Sequence, residues 1–123
     1  MIIPALRYDD AKAAIDFLDR AFGFHRKAVH ENEDGTIGHA ELTSGRGMVM
    51  IGSTGAGDKQ FDTGRTSIYV NVDDPDAVCE RAKAAGAEIT REPQDTDYGS
   101  REFSASDPEG NVWSFGTYDP FAT

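Results

Sequence analysis

Residues 1 to 52 and 66 to 117 repeat one order of features, and this limits the possible folds more than anything else in the chain. Each copy opens on a short strand, IIPALRY and then SIYVNV, and runs through paired aspartates, Asp9–Asp10 and Asp73–Asp74. A helix closing on glycine follows, then a strand and a hairpin. The offset that carries Gly23 onto Gly86 also carries Gly47 onto Gly110. A duplicated βαβββ unit predicts an α+β fold of two tandem modules. The first spans about 1–52 and the second about 66–118, with a linker over about 53–65.

The helices carry their own punctuation. In DAKAAIDFLDRAFG, Ala11, Ala14, Ile15, Leu18 and Phe22 form one apolar stripe, Asp10 is the expected N-cap and Gly23 the expected stop. In DPDAVCERAKAAG, Asp74 caps, Pro75 takes the first helical position, Arg81 and Lys83 favour the C-terminal dipole, and Gly86 ends the run. The linker GSTGAGDKQFDTGRT imitates a phosphate loop, but Asp58 stands where the lysine must be and no amphipathic helix follows.

A formal charge of −10 argues against nucleic-acid partners, whose phosphates it would repel. No apolar run reaches the length of a membrane span. The single Cys79 excludes an internal disulfide, and its place in a helical pattern marks it as a small buried hydrophobe. The start MIIPALRYDD does not read as a secretory leader, so the expected location is the cytoplasm.

The paired modules, the stretch VDDPDAVCERAKAAGAEI and the terminal DPEGNVWSFGT together resemble the vicinal oxygen chelate superfamily, which includes glyoxalases, dioxygenases and bleomycin resistance proteins. The resemblance implies two curled mixed sheets forming a cup with the helices outside. It also implies a divalent metal held by His and Glu at one position on each of four strands. Counting back from the capping aspartates and forward from the hairpin glycines, those positions fall on Ile3, Ile51, Ser67 and Ser114. None supplies an imidazole or a carboxylate, so neither metal nor other cofactor is expected, as in the bleomycin-resistance branch.

Strand alternation then gives the expected cup lining. Ile3, Ala5 and Arg7 point inward from the first strand, and Ser67, Tyr69 and Asn71 from its counterpart. The hairpins add His39, Glu41 and Thr43 with Val49 and Ile51, and Glu102, Ser104 and Ser106 with Val112 and Ser114. Met48, Met50, Phe103, Trp113 and Phe115 are assigned to the core, and His25 and His30 to the surface. Apolar walls with a few convergent polar groups describe a small-molecule pocket.

The resulting expectation is a metal-independent binding protein, a homodimer, that sequesters a drug or metabolite of cationic or aromatic character. No catalytic residue is assigned. Two alternatives stand beside it. One is an isomerase or lyase with Glu41 or Glu102 as general base. The other is a displaced metal site on His39 and Glu41.

Overall fold

In the computed structural model, which describes residues 1–122, the two repeats are two separate four-stranded sheets with one helix apiece. The first module runs β1 (Ala5–Tyr8), α1 (Ala11–Phe22), β2 (His25–Glu31), β3 (Ile37–Ser44) and β4 (Gly47–Ser53), in the sheet order β1-β4-β3-β2. The second runs β5 (Ser67–Asn71), α2 (Pro75–Ala84), β6 (Glu88–Asp95), β7 (Arg101–Ser106) and β8 (Val112–Gly116), in the order β5-β8-β7-β6. Among the described residues only β1–β4 and β5–β8 pair in parallel. No described helix is long and apolar enough to cross a membrane.

Both helices begin as their caps require. Asp10 accepts from the Ala13 amide and Asp74 from the Ala77 amide, each at 3.1 Å. Gly23 closes α1 at φ 74°, a left-handed conformation that favours glycine. Arg81 of α2 then reaches the end of α1, donating to the Arg20 carbonyl at 2.9 Å and the Asp19 carbonyl at 3.1 Å. A guanidinium there complements the negative end of the helix dipole.

One apolar core joins the modules. The Phe22 ring lies 4.7 Å from Phe115, and Phe24 lies 5.4 Å from Trp113. Trp113 and Phe115 are fully buried, and burying a large side chain contributes roughly 1.5–3 kcal/mol. The modules therefore meet through their helix-bearing faces, which leaves the opposite face of each sheet outside this contact. Strands β1 and β5 end their sheets and are hydrogen-bonded on one side only.

The register overturns part of the expected lining. Val49 and Ile51 are buried in the core, whereas Met48 and Met50 share a face with Glu41 and Thr43. The two hairpins differ in length: Ser44 pairs with Gly47 across a two-residue turn, but Ser106 pairs with Val112 across a five-residue loop. Counting from the glycine thus slips the first module by one residue, and a slip of one exchanges faces. Since Ser104 pairs with Ser114 and Glu41 with Met50, the counterpart of Ser114 is Met50, not Ile51.

The linker packs against the first sheet. A 3-10 turn over Lys59–Phe61 places the Phe61 ring 5.6 Å from the Arg7 guanidinium, and Asp62 accepts from Arg7 at 3.5 Å. Arg7 is thereby held by the linker.

Candidate functional site

The outward faces of the two sheets carry the polar residues expected to line a cup, in two separate groups. On the first, Ala5 and Arg7 share a face with Met50 and Gly52, and Glu41 and Thr43 with Met50 and Met48. The His39 ring nitrogen Nε2 lies 3.0 Å from Glu41 Oε2, and Lys27 Nζ lies 3.6 Å from the other oxygen. His30 stacks on His39 across the strand pair at 6.3 Å between ring centres. The hydrogen bond with His39, aided by the charge of Lys27, holds the Glu41 carboxyl below its usual range despite some desolvation. His39 and Glu41 thus meet, but among the described residues no three His, Cys, Asp or Glu side chains form a group able to hold a metal.

The second group is built around Glu102, a buried carboxylate on β7. Tyr69 donates to one of its oxygens at 2.9 Å and Tyr98 to the other at 2.7 Å. Burial pushes the Glu102 carboxyl up, but hydrogen bonds from Tyr98, Tyr69 and Ser100 outweigh it and keep the group below the usual range. Burial, followed by the bond to Glu102, raises the Tyr69 phenol, so the pair is carboxylate and neutral phenol at neutral pH. Ser104 and Ser114 face each other on adjacent strands with their hydroxyls 2.8 Å apart. Asn71 donates to the Tyr118 carbonyl at 2.9 Å, and the Tyr118 amide donates to Tyr69 Oη at 3.2 Å. Ser67 and Val112 pair at the far end of the same sheet.

Gly116 makes this arrangement possible. It pairs with Glu102, and a Cβ built there would collide with Tyr69 Oη and stand 2.6 Å from Glu102 Cγ. Its counterpart Gly52 lies against Arg7, whose Nε would be 3.2 Å from a Cβ. In both modules a glycine of the last strand gives way to a long side chain from the first.

No described hydrogen bond or ion pair links Arg7, His39 or Glu41 with Tyr69, Glu102, Ser104 or Ser114. The polar side chains thus form two separate groups, although one cavity of the chain is lined by Met48 and Val49 from the first module and by Tyr69 and Asn71 from the second. Sequence reasoning missed Tyr98 and Tyr118, which lie just outside the strands carrying Glu102 and Gly116. The pairing of those two residues brings the flanks together, and that was the available signal.

The four positions at which related proteins would hold a metal are, on the corrected register, Ile3, Met50, Ser67 and Ser114. Alkyl, thioether and neutral hydroxyl groups do not fit a divalent ion that calls for imidazole and carboxylate. The Ser114 hydroxyl already has a partner in Ser104.

Comparison with known proteins agrees with this architecture. A relative from Mycobacterium bovis, named only as uncharacterised, is 33% identical over 121 residues, which is 92% of this chain and 80% of that protein. The crystal structure of TioX from Micromonospora sp. ML1 superposes with a TM-score of 0.79 at 36% identity, covering 94% of this chain and 95% of that one. TnmS3 from Streptomyces sp. CB03234, described as an antibiotic binding protein, shares the fold with a TM-score of 0.72 at 22% identity, covering 92% and 90%. The profile of one superfamily matches residues 3–115, nearly the whole chain. The chain belongs to the glyoxalase/bleomycin resistance protein/dioxygenase superfamily.

Proposed function

We propose that this protein binds and sequesters a small molecule, without a divalent metal at the superfamily's four positions. The observation that carries this reading is the residue set Ile3, Met50, Ser67 and Ser114, which offers no ligand of the required kind. Binding needs only a complementary surface, and TnmS3 is an example of antibiotic binding on this fold. An isomerase or lyase using Glu41 or Glu102 as base is less well supported. Hydrogen bonds hold both carboxyls below their usual range, away from the value near the working pH that favours general-base catalysis.

The working form is a homodimer in this reading. Each chain has two half-sites on outward faces and four edge strands, of which β1 and β5 are each paired on one side only. A second copy can set its β1 against β5 and bring the Glu41 half opposite the Glu102 half. Cys79, buried and unpaired, suits a reducing compartment, so the proposed location is the cytoplasm.

Three measurements test the proposal. Light scattering should give twice the 13.3 kDa chain mass. Elemental analysis should find far less than one equivalent of zinc, nickel, manganese or iron. A thermal-shift panel of antibiotic-like natural products should contain stabilising compounds whose effect is lost in Ser114→Leu. Stoichiometric metal surviving dialysis, or a panel without any stabilising compound, would overturn it.

A further inference from the structure

Resting on that reading of the cup, we infer that the Glu102 half-site recognises a compact organic ammonium group, held over the carboxylate by the rings of Tyr69, Tyr98 and Tyr118. Glu102 is only 7% exposed, and none of the ion pairs among the described residues involves it. A buried carboxylate without a counter-charge is costly, and tyrosine hydroxyls satisfy its hydrogen bonding without neutralising it. The positive charge of Arg91 acts on it only from beyond ion-pair distance, which leaves a place for a closer cation.

The surroundings specify what that is. Tyr69, Tyr98 and Tyr118 are 43%, 61% and 49% exposed, an unusual outlay of aromatic surface around one acidic group. Tyr69 and Tyr98 both donate to Glu102, so their electron-rich rings are anchored to the same point. Tyr118 joins through its amide bond to Tyr69 Oη, and its ring stands at 84° to that of Tyr98 with centres 6.0 Å apart. Ring faces attract cations, and a carboxylate among them adds a full opposite charge. Walls near a right angle form a corner suited to a rounded ammonium, whereas a flat aromatic cation would call for parallel walls.

The first half-site lacks this arrangement. Its carboxylate, Glu41, already has Lys27 and His39 within ion-pair distance, and its strand positions corresponding to Tyr69 and Ser114 are Ala5 and Met50. Cation recognition is thus assigned to the second module alone.

The test uses choline and its neutral isostere 3,3-dimethylbutan-1-ol, titrated into the full-length protein and followed by NMR of the tyrosine ring protons. Choline should bind at least about tenfold more tightly than the alcohol, the advantage expected from one or two cation–ring contacts plus a charge. Glu102→Gln keeps the size of the side chain and should abolish the preference while leaving the alcohol unaffected. Tyr98→Leu should weaken choline several-fold, and Glu80→Gln, an exposed change on α2 outside both half-sites, should change nothing. Thermal melts of each variant confirm folding, and Tyr118→Leu replaces Tyr98→Leu if the latter is unfolded. Equal affinities for the two probes, no binding of either, or a preference that survives Glu102→Gln would each overturn the inference. If panel compounds still bind in a Ser114-dependent manner, only the ammonium assignment falls. If they do not, the reading of the cup falls with it.

Discussion

The phenol of Tyr8, on the first strand of the first module, donates to Asp107 in the β7–β8 loop of the second at 2.6 Å, and both residues are buried. Asp107 gathers the loop around itself, accepting also from the Asn111 side chain and from Trp113 Nε1, each at 3.0 Å. Next to it, Glu109 accepts from the Asp9 and Asp10 amides at 2.7 and 2.9 Å, binding the start of α1 to the same loop. The DPEGN turn is thus a clasp between modules as well as a hairpin.

Tyr8→Phe removes one donor from a buried carboxylate and keeps the ring. Hydrogen bonds to charged groups are worth about 1.5–3 kcal/mol, and the variant should lose stability in that range. Chemical denaturation at neutral pH measures it. A loss below about 0.5 kcal/mol would show that the clasp does not hold the modules together.

Tyr8 also gives the protein an alkaline limit. Burial, with the charge and hydrogen bond of Asp107, pushes its pKa far above the ordinary value. A raised folded pKa means that the stability it contributes is complete below the unfolded value, about 10, and is lost as pH rises beyond it. The unfolded chain releases that proton and the folded chain keeps it, so stability should fall by about 1.4 kcal/mol per pH unit from this group. The gap between the native protein and Tyr8→Phe should therefore narrow above about pH 10. A gap that stays constant would locate the alkaline loss elsewhere.

Gly116→Ala should disrupt the second half-site with little effect on the first. The added methyl has no room beside Tyr69 Oη and Glu102 Cγ, so the Tyr69–Glu102 bond must open. Tyrosine ring resonances should shift and choline affinity should fall. Gly52→Ala meets the flexible Arg7 side chain at 3.2 Å and the Gly38 carbonyl oxygen no closer than 3.4 Å, and should be mild. Equal effects from the two substitutions would contradict this asymmetry.

The face assignment of β4 is tested by Ile51→Ala and Met50→Ala. Ile51 is fully buried, and truncating it should cost about 2–5 kcal/mol, whereas Met50 on the outward face should cost markedly less and alter ligand binding instead. The reverse outcome would restore the register counted from the hairpin glycine.

Much of this was legible without coordinates. The repeat, both caps, the buried stripe of α1 and the core placement of Trp113, Phe103 and Phe115 follow from periodicity and local chemistry, which act over a few residues. The pairing that sets Tyr69 and Ser104 beside Ser114 on one face of the second sheet also follows from strand alternation, which propagates from one secure position. The same logic failed for Val49 and Ile51. Alternation cannot show that one hairpin turns in two residues and the other in five, and one residue of error exchanges the faces.

What tertiary structure alone decided is how distant pieces meet. Tyr98 and Tyr118 lie outside the regular strands, where no period marks them, and they reach Glu102 and Tyr69 only because β7 and β8 pair. Asp62 holds Arg7 because the linker folds back onto β1. The separation of the two half-sites has the broadest cause: Phe22 and Phe24 bury themselves against Trp113 and Phe115, so the modules join through their helix-bearing faces and turn their polar faces outward. Local pattern determines which face of a strand is apolar. Which other apolar face covers it is settled by packing across the whole chain.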